Sequence, residues 1–469
     1  MNRLSLAVSA LIARVADSAA GPCQTAVLRI GFSLTWLLFL LREFPHRHEL
    51  YGPDGPWSSD LAEQLVGSNG AFTALLWFDG RGWFEFLYAL AMLWSVLLLL
   101  GWRTRTMSVL FMVGVLSLQN RSIFMGDGGD NVLHLMAVYL VFTRCGQVWS
   151  LDARRARRQA AALARGERVR DRAGPALWVV FGVLLLAMTL AGRMDDGERL
   201  IPVLLWTVWT AQALWWLAGR LGRNPQPRIL LDVVANIVHN GALLVIMAEA
   251  CLIYATAGWY KVQGSRWQDG TAVYYPLQLK YFSPWPGLAD LLSSSGTLVM
   301  LMSYGTVIVQ VAFPFTLFNR RVKNVLLALM ITEHAVIAVV LGLPFFSLAM
   351  IAVDMVFLPT SFLRRLGDGA ARARARLLGR GPTGGPPLPR QRLPEQRLAE
   401  QGTPQQGTPR QGSHPAPPLP PQRLPDDPAR DARQTRNAQG SAPEPAPHAS
   451  APGTEPSSRA PEGRPRPRT

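Results

Sequence analysis

The feature that most limits what this chain can fold into is a repeated one. Apolar runs of roughly 18–25 residues recur along it, each long enough to cross a hydrocarbon layer as a helix. Ten spans are read, the shortest of them under 18 residues, at residues 27–41, 84–100, 107–118, 132–148, 176–191, 201–217, 233–257, 298–318, 325–340 and 345–363. No lipid-facing segment can leave its backbone amides unpaired, so each span is expected to be helical. The period-two alternation of a membrane barrel is missing. The expected fold class is therefore all-α, a polytopic helical membrane protein of about ten transmembrane helices.

The connectors set an orientation. Basic connectors are expected on the cytoplasmic side and should alternate with less basic ones. With the N-terminus inside, the inner connectors are WRTRT, the Ala- and Arg-rich 153–172 segment, GRLGRNPQPR, NRRVKN and the Arg-rich start of the tail, all basic. The outer ones are 42–82, QNRSIFMGDGGDN, RMDDGERL with Asp195, Asp196 and Glu198, the stretch 257–281, and GLP. This predicts both termini inside. Residues 1–26 form a cytoplasmic segment, mildly amphipathic over 4–15, and the first span serves as targeting signal. Residues 27–363 form the membrane domain. From Arg364 the chain turns to Arg, Pro, Gln and Gly, so 364–469 reads as a disordered cytoplasmic tail whose first part, RRLGDGAARARARLLGR, suits anionic lipid. Residues 153–172 read as an amphipathic helix lying along the surface.

Composition excludes several classes. A net charge of +16 raises nucleic acid, but the basic residues lie in connectors and tail without aromatic interleaving. No nucleic-acid partner is expected. Cys23, Cys145 and Cys251 are far apart in or beside apolar runs, which gives no disulfide framework and no metal pattern. HExxH, Walker, GxSxG and dinucleotide-binding motifs are missing, so ATP-driven transport and those hydrolase chemistries find no support.

One stretch, AGWYKVQGSRWQDGTAVYYPLQLKY at 257–281, is chemically distinct. It holds Lys261 and Lys280, and apart from Lys323 every other basic residue among the 47 lysines and arginines is arginine. Arginine stays protonated, whereas a desolvated lysine can act as a base. The alternative for Lys261, just outside a membrane helix, is a side chain snorkelling at the boundary. Other candidates on the outer side are Trp267, Asp269, Tyr274 and Tyr275 of the same stretch, Asp127, Asp130 and Asn131 of the second loop, and His46, His48, Tyr51 and Trp57 of the first. Glu333 and His334 are placed in the first half of the ninth span, and intramembrane ionisable residues are functional candidates by default. GDGGD reads either as a calcium-like loop or as a tight turn capping the fourth span. WSLD at 149–152 reads as an interfacial tryptophan with a cap for the surface helix.

Four runs, LLLLGWRTRTMSVLFM, GDGGDNVLHLMAVYLVFTRCGQVWSLD, AGWYKVQGSRWQDGTAVYY and ITEHAVIAVVLGLPFFSLAMIAVDMVFL, resemble in order and texture the HTTM-domain proteins, bacterial relatives of the vitamin K-dependent gamma-carboxylase. The more specific pieces are Ala257, Gly258, Lys261, Trp267 and Gly270, and Phe142, Trp149, Ser150 and Asp152. The resemblance implies that Lys261 is the base that deprotonates reduced vitamin K or menaquinone at an outward-facing site. His334 would be a second catalytic residue. Trp267, Asp269, Tyr274, Asp130, Asn131 and Glu333 would line the quinone or substrate pocket. There are two departures: GDGGDN stands where the carboxylase has an asparagine–histidine element, and the tail replaces a large lumenal domain.

Two functions are thus carried forward. One is a quinone-binding or quinone-oxygenating membrane protein. The other is a non-catalytic membrane protein, a lipid or small-molecule carrier or a partner-binding component. The expected location is a bacterial plasma membrane.

Overall fold

The structure, a computed structural model, describes residues 3–377 apart from 168–170, 195–199 and 222–225. The expected tail beyond 377, the acidic connector at Asp195, Asp196 and Glu198, and part of GRLGRNPQPR lie outside the described residues. All regular structure among the described residues is helical.

In chain order the helices are α1 Arg3–Asp17, α2 Pro22–Glu43, α3 Arg47–Tyr51, α4 Ser59–Asn69, α5 Arg81–Leu100, α6 Thr104–Arg121, α7 Gly128–Val141, α8 Leu151–Ala164 and α9 Ala173–Leu190. There follow α10 Leu200–Leu221, α11 Gln226–Gln263, α12 Ser265–Gln268, α13 Tyr274–Gln278, α14 Pro286–Ser293, α15 Gly296–Ala312, α16 Arg320–Val340, α17 Pro344–Asp354 and α18 Thr360–Leu377. Among the described residues, seven helices are long and apolar enough to cross a membrane, or eight if the bent α17–α18 pair is one span.

The difference from ten has local causes. α6 carries Ser, Thr, Gln, Asn and Arg; Thr104, Ser108, Ser117 and Arg121 are buried between neighbours and Gln119 and Asn120 half-buried, so it need not be apolar all round. α7 stops at Val141 after 14 residues, where 132–148 was expected. The expected last span, 345–363, breaks: α17 ends at Asp354 and the chain turns by 118° into α18. The helix α18 also replaces the expected disorder over 364–377.

α2 is the hub. Two-thirds (67%) of its apolar window is buried, against 0% for α10. It packs on α5, α7 and α17, and the core runs through Leu28, Phe32, Trp36, Leu40, Tyr88, Phe111, Met136 and Val353. Arg29, inside the first span, is wholly buried. It donates to the carbonyls of Leu98 at 2.7 Å, Leu99 at 2.6 Å, Trp149 at 2.8 Å and Cys145 at 3.2 Å. Leu99 O belongs to the last turn of α5, where carbonyls lack an intrahelical donor, while Leu98 O also accepts from Gly101 N at 2.9 Å. Beside this clasp Ser150 caps α8, accepting from Ala153 N at 2.9 Å, as WSLD suggested. Asp152 instead caps α6 from across the chain, accepting from Arg103 N at 3.0 Å and Thr104 N at 2.7 Å. Just outside, Arg103 forms a two-pronged ion pair with Asp171 that holds its carboxyl well below the usual range, at about 2.

α9 and α10 form a peripheral hairpin. Trp178 and Trp209 stack with centroids 4.4 Å apart, and each indole N–H donates to the other's carbonyl at 3.0 Å. The rest of the hairpin exposes Val179, Val183, Leu184, Leu190, Val203 and Leu214. So much contiguous apolar surface is a membrane feature.

Candidate functional site

α11 is 38 residues long, and one stripe of it faces the bundle: Asn236, His239, Leu243, Ile246, Ala250, Tyr254 and Gly258 are buried at helical spacing. Lys261 continues the stripe. The expectation placed it in a connector after the helix; it lies instead in the last turn of α11, because the helix runs six residues past Ala257. Gly258 explains its depth. A Cβ there would lie 2.6 Å from Val311 Cγ2, so α11 approaches α15 more closely than any side chain allows. The following residues climb beside α15: Val273 N donates to Ser303 Oγ at 3.2 Å, and Tyr304 donates to the Gln268 carbonyl at 2.7 Å. The stretch 264–273 is thus laid along the bundle instead of looping away from it.

Two polar groups meet here. In the first, Lys261 Nζ donates to Gln310 Oε1 at 2.8 Å and Gln310 Nε2 donates to Glu333 Oε1 at 2.8 Å. The amine also lies 5.3 Å from the Trp267 ring centroid. Gln310 is buried, about 21 Å from the first residue of α15 and two residues before its last, Ala312. In the second, Tyr254 donates to Asp354 Oδ1 at 2.8 Å and lies 3.2 Å from His334 Nε2. The single hydroxyl proton is given to Asp354, so the Tyr254 oxygen accepts from His334 Nε2–H. That leaves His334 Nδ1 buried without a protein partner, as are Asp354 Oδ2 and Ser347 Oγ.

Glu333 and His334 are neighbours on α16 and join the two groups. They are its fourteenth and fifteenth residues, in the second half of the helix and not the first. The helix begins five residues before the apolar run, at Arg320, since Asn319 caps it by accepting from Arg321 N at 3.1 Å.

Lys261, Trp267, Glu333 and His334 are therefore brought together. Asp130 and Asn131 instead follow Gly129, the residue of α7 that packs on Phe346. Asp127 and Asp130 form a capping box at the start of α7, so GDGGD is the capping turn. A Cβ on Gly129 would lie 2.6 Å from Phe346 Cα, and the Phe346 ring stands 5.6 Å from that of His334. Asp130 also accepts from Gln119 Nε2, whose Oε1 lies 3.1 Å from His134 Nδ1; Asn131 is exposed. Asp269 faces solvent, bound to the Thr271 amide at 3.0 Å and held below its ordinary range by the Thr271 hydroxyl. Tyr274 is exposed, edge-on to Tyr275. His48 pairs with Glu85 at 2.7 Å and Trp57 donates to the Arg121 carbonyl, both packing roles in the first loop.

The residues not foreseen are Gln310, Tyr254 and Asp354. Asp354 carried a signal, an acid inside an apolar run. Gln310 and Tyr254 carried only polarity at one helix position each. Among the described residues no cluster of His, Cys, Asp and Glu could hold a metal ion. A shallow apolar cavity of about 390 Å³, open over most of its extent, is lined by Trp285, Pro286, Gly287, Leu288 and Val339, which lies six residues beyond Glu333 on α16. Comparison with protein-family models, curated proteins and solved structures returns no match.

Proposed function

We propose that this chain is an HTTM-type integral membrane protein that binds a reduced quinone, menaquinone or vitamin K, and presents it to Lys261 as base. The observation that carries the reading is the hydrogen bond from Lys261 Nζ to an uncharged amide, Gln310 Oε1, at 2.8 Å. An amine fixed by an amide, with the nearest carboxylate one residue removed, is oriented without being locked into an ion pair. Trp267, 5.3 Å away, offers a flat apolar face to a ring, and His334 Nδ1 is a buried acceptor with room in its hydrogen-bonding capacity. The apolar cavity at Trp285 and Val339 suits an isoprenoid tail.

The residues then divide the work. Lys261 accepts the hydroxyl proton of the reduced ring, Gln310 orients the amine, and Glu333 orients Gln310. The deprotonated ring supplies the chemistry toward oxygen. Tyr254, His334 and Asp354 hold the adjoining wall. The topology belongs to the same proposal: about ten helices including the short α6, α7 and α17, both ends cytoplasmic, the site entered from the outer side of a bacterial plasma membrane. A second reading, a non-catalytic lipid or small-molecule carrier or partner-binding component, uses the same cavity, with the Lys261–Gln310–Trp267 contacts as packing.

The test uses the full-length protein in nanodiscs with reduced menaquinone or vitamin K under oxygen, products read by mass spectrometry. Quinone epoxide formed by the protein and lost in Lys261→Ala supports the enzymatic reading. No epoxide from folded protein contradicts it and leaves the carrier.

A further inference from the structure

The 118° bend after α17 leaves α18 running across the end of the bundle. If α17 follows the membrane normal, α18 lies within about 30° of the membrane plane. It docks by one edge only. Leu363 is wholly buried against Cys23 and Val27 of α2, and Gly367 sits against the Trp149 ring.

At 100° per residue, Phe362, Leu363, Leu366, Ala370, Ala373 and Leu377 share an arc of about 100°. Beyond Leu363 that arc is open: Phe362 is 50% exposed, Leu366 53% and Leu377 87%. Arg374 borders one side of the arc, and Arg365, Arg372 and Arg376 the other. All four are exposed and have no carboxylate partner among the described residues. The Trp149 contact places α8 at the same end, and it adds the exposed Arg154, Arg157 and Arg158.

An open apolar stripe flanked by unpaired arginines is the arrangement of a helix lying in a membrane interface, its apolar side chains down and its guanidinium groups level with the phosphates. We infer that α18, with α8 beside it, is an interaction surface for the anionic phospholipid headgroups of the bilayer that holds the protein. Charge selects the occupant: seven unpaired arginines on two neighbouring helices match lipid phosphates, and the flat geometry matches a leaflet. The inference rests on the membrane reading of the helices and is independent of the quinone reading.

Amide hydrogen exchange over 361–377 tests it, on the full-length protein in nanodiscs of phosphatidylcholine alone or with added phosphatidylglycerol. Exchange in α18 is expected to slow about fivefold or more with the anionic lipid, the scale of one interfacial arginine. The slowing should disappear at high salt and in the Arg365→Gln/Arg372→Gln/Arg376→Gln variant, while exchange in α16 stays unchanged. Equal exchange in both lipids would overturn the inference, as would slowing that survives the triple substitution.

Discussion

Lys261 and Gln310 are joined side chain to side chain at 2.8 Å, deep between α11 and α15, with Glu333 held 2.8 Å from the other end of the same amide. The glutamine separates a potential ion pair. Gln310→Glu would give Lys261 a carboxylate of its own without changing side-chain length. If the amine works as a base, quinone-dependent turnover in this variant falls about a hundredfold or more, the share general-base catalysis supplies. Some thermal stability should be lost as well, because the donor to Glu333 is gone and two carboxyls then face each other. Steady-state product formation beside a melting curve checks both.

Much of this was legible in the chain. The helices follow the apolar runs, and Lys261 stood out because lysine is scarce here. The α11 stripe from Asn236 to Tyr254 is a helical-period pattern that the sequence carries openly. What could not be read was depth and partnership. Gly258 lets two helices touch, and only the touching makes Gln310 the partner of Lys261. Arg29 sat in plain view within the first span, yet the four carbonyls it ties come from distant segments. The last span breaks at Leu358, extended at ψ 140° directly before Pro359, a stop the sequence carries openly; the bond from Tyr254 to Asp354, a hundred positions apart, could not be read.

Tyr254→Phe removes one oxygen and leaves Asp354 Oδ1 and His334 Nε2 buried without it. The expected loss is about 1–3 kcal/mol, the cost of an unsatisfied buried polar group. Tyr254→Phe with Asp354→Leu should recover part of it, since the stranded carboxyl is then gone and only His334 Nε2 is left without a partner. Denaturation of the two variants in the same detergent measures the difference.

Gly129→Ala sets a methyl 2.6 Å from the backbone of Phe346, where no side chain can swing aside. A cost of about 1–3 kcal/mol is expected for such overpacking. Because Phe346 also faces His334, the variant should change the site as well as the fold. Gly67→Ala, inside α4 with open space around the added methyl, is the control and should stabilise by about 0.5–1 kcal/mol, alanine's helix preference over glycine.

The Arg103–Asp171 pair gives a pH dependence with a definite sign. Arg103 holds the Asp171 carboxyl at about 2, below its unfolded value of about 4. The contribution is therefore complete above about pH 4 and is lost as pH falls from about 4 to about 2. The pair is partly exposed, so added salt should weaken it. Asp171→Asn should flatten this part of the stability–pH curve, read as the melting temperature across that window.

The most direct measurement is the product yield of Lys261→Arg in nanodiscs with reduced menaquinone under oxygen, set beside the unaltered protein and with folding confirmed by the melting curve. Arginine keeps the positive charge and the reach but cannot accept a proton in this range. The account predicts a folded protein with quinone epoxide formation abolished. A folded Lys261→Arg protein that forms epoxide at the unaltered rate would contradict it and leave Lys261 as a boundary side chain held by Gln310.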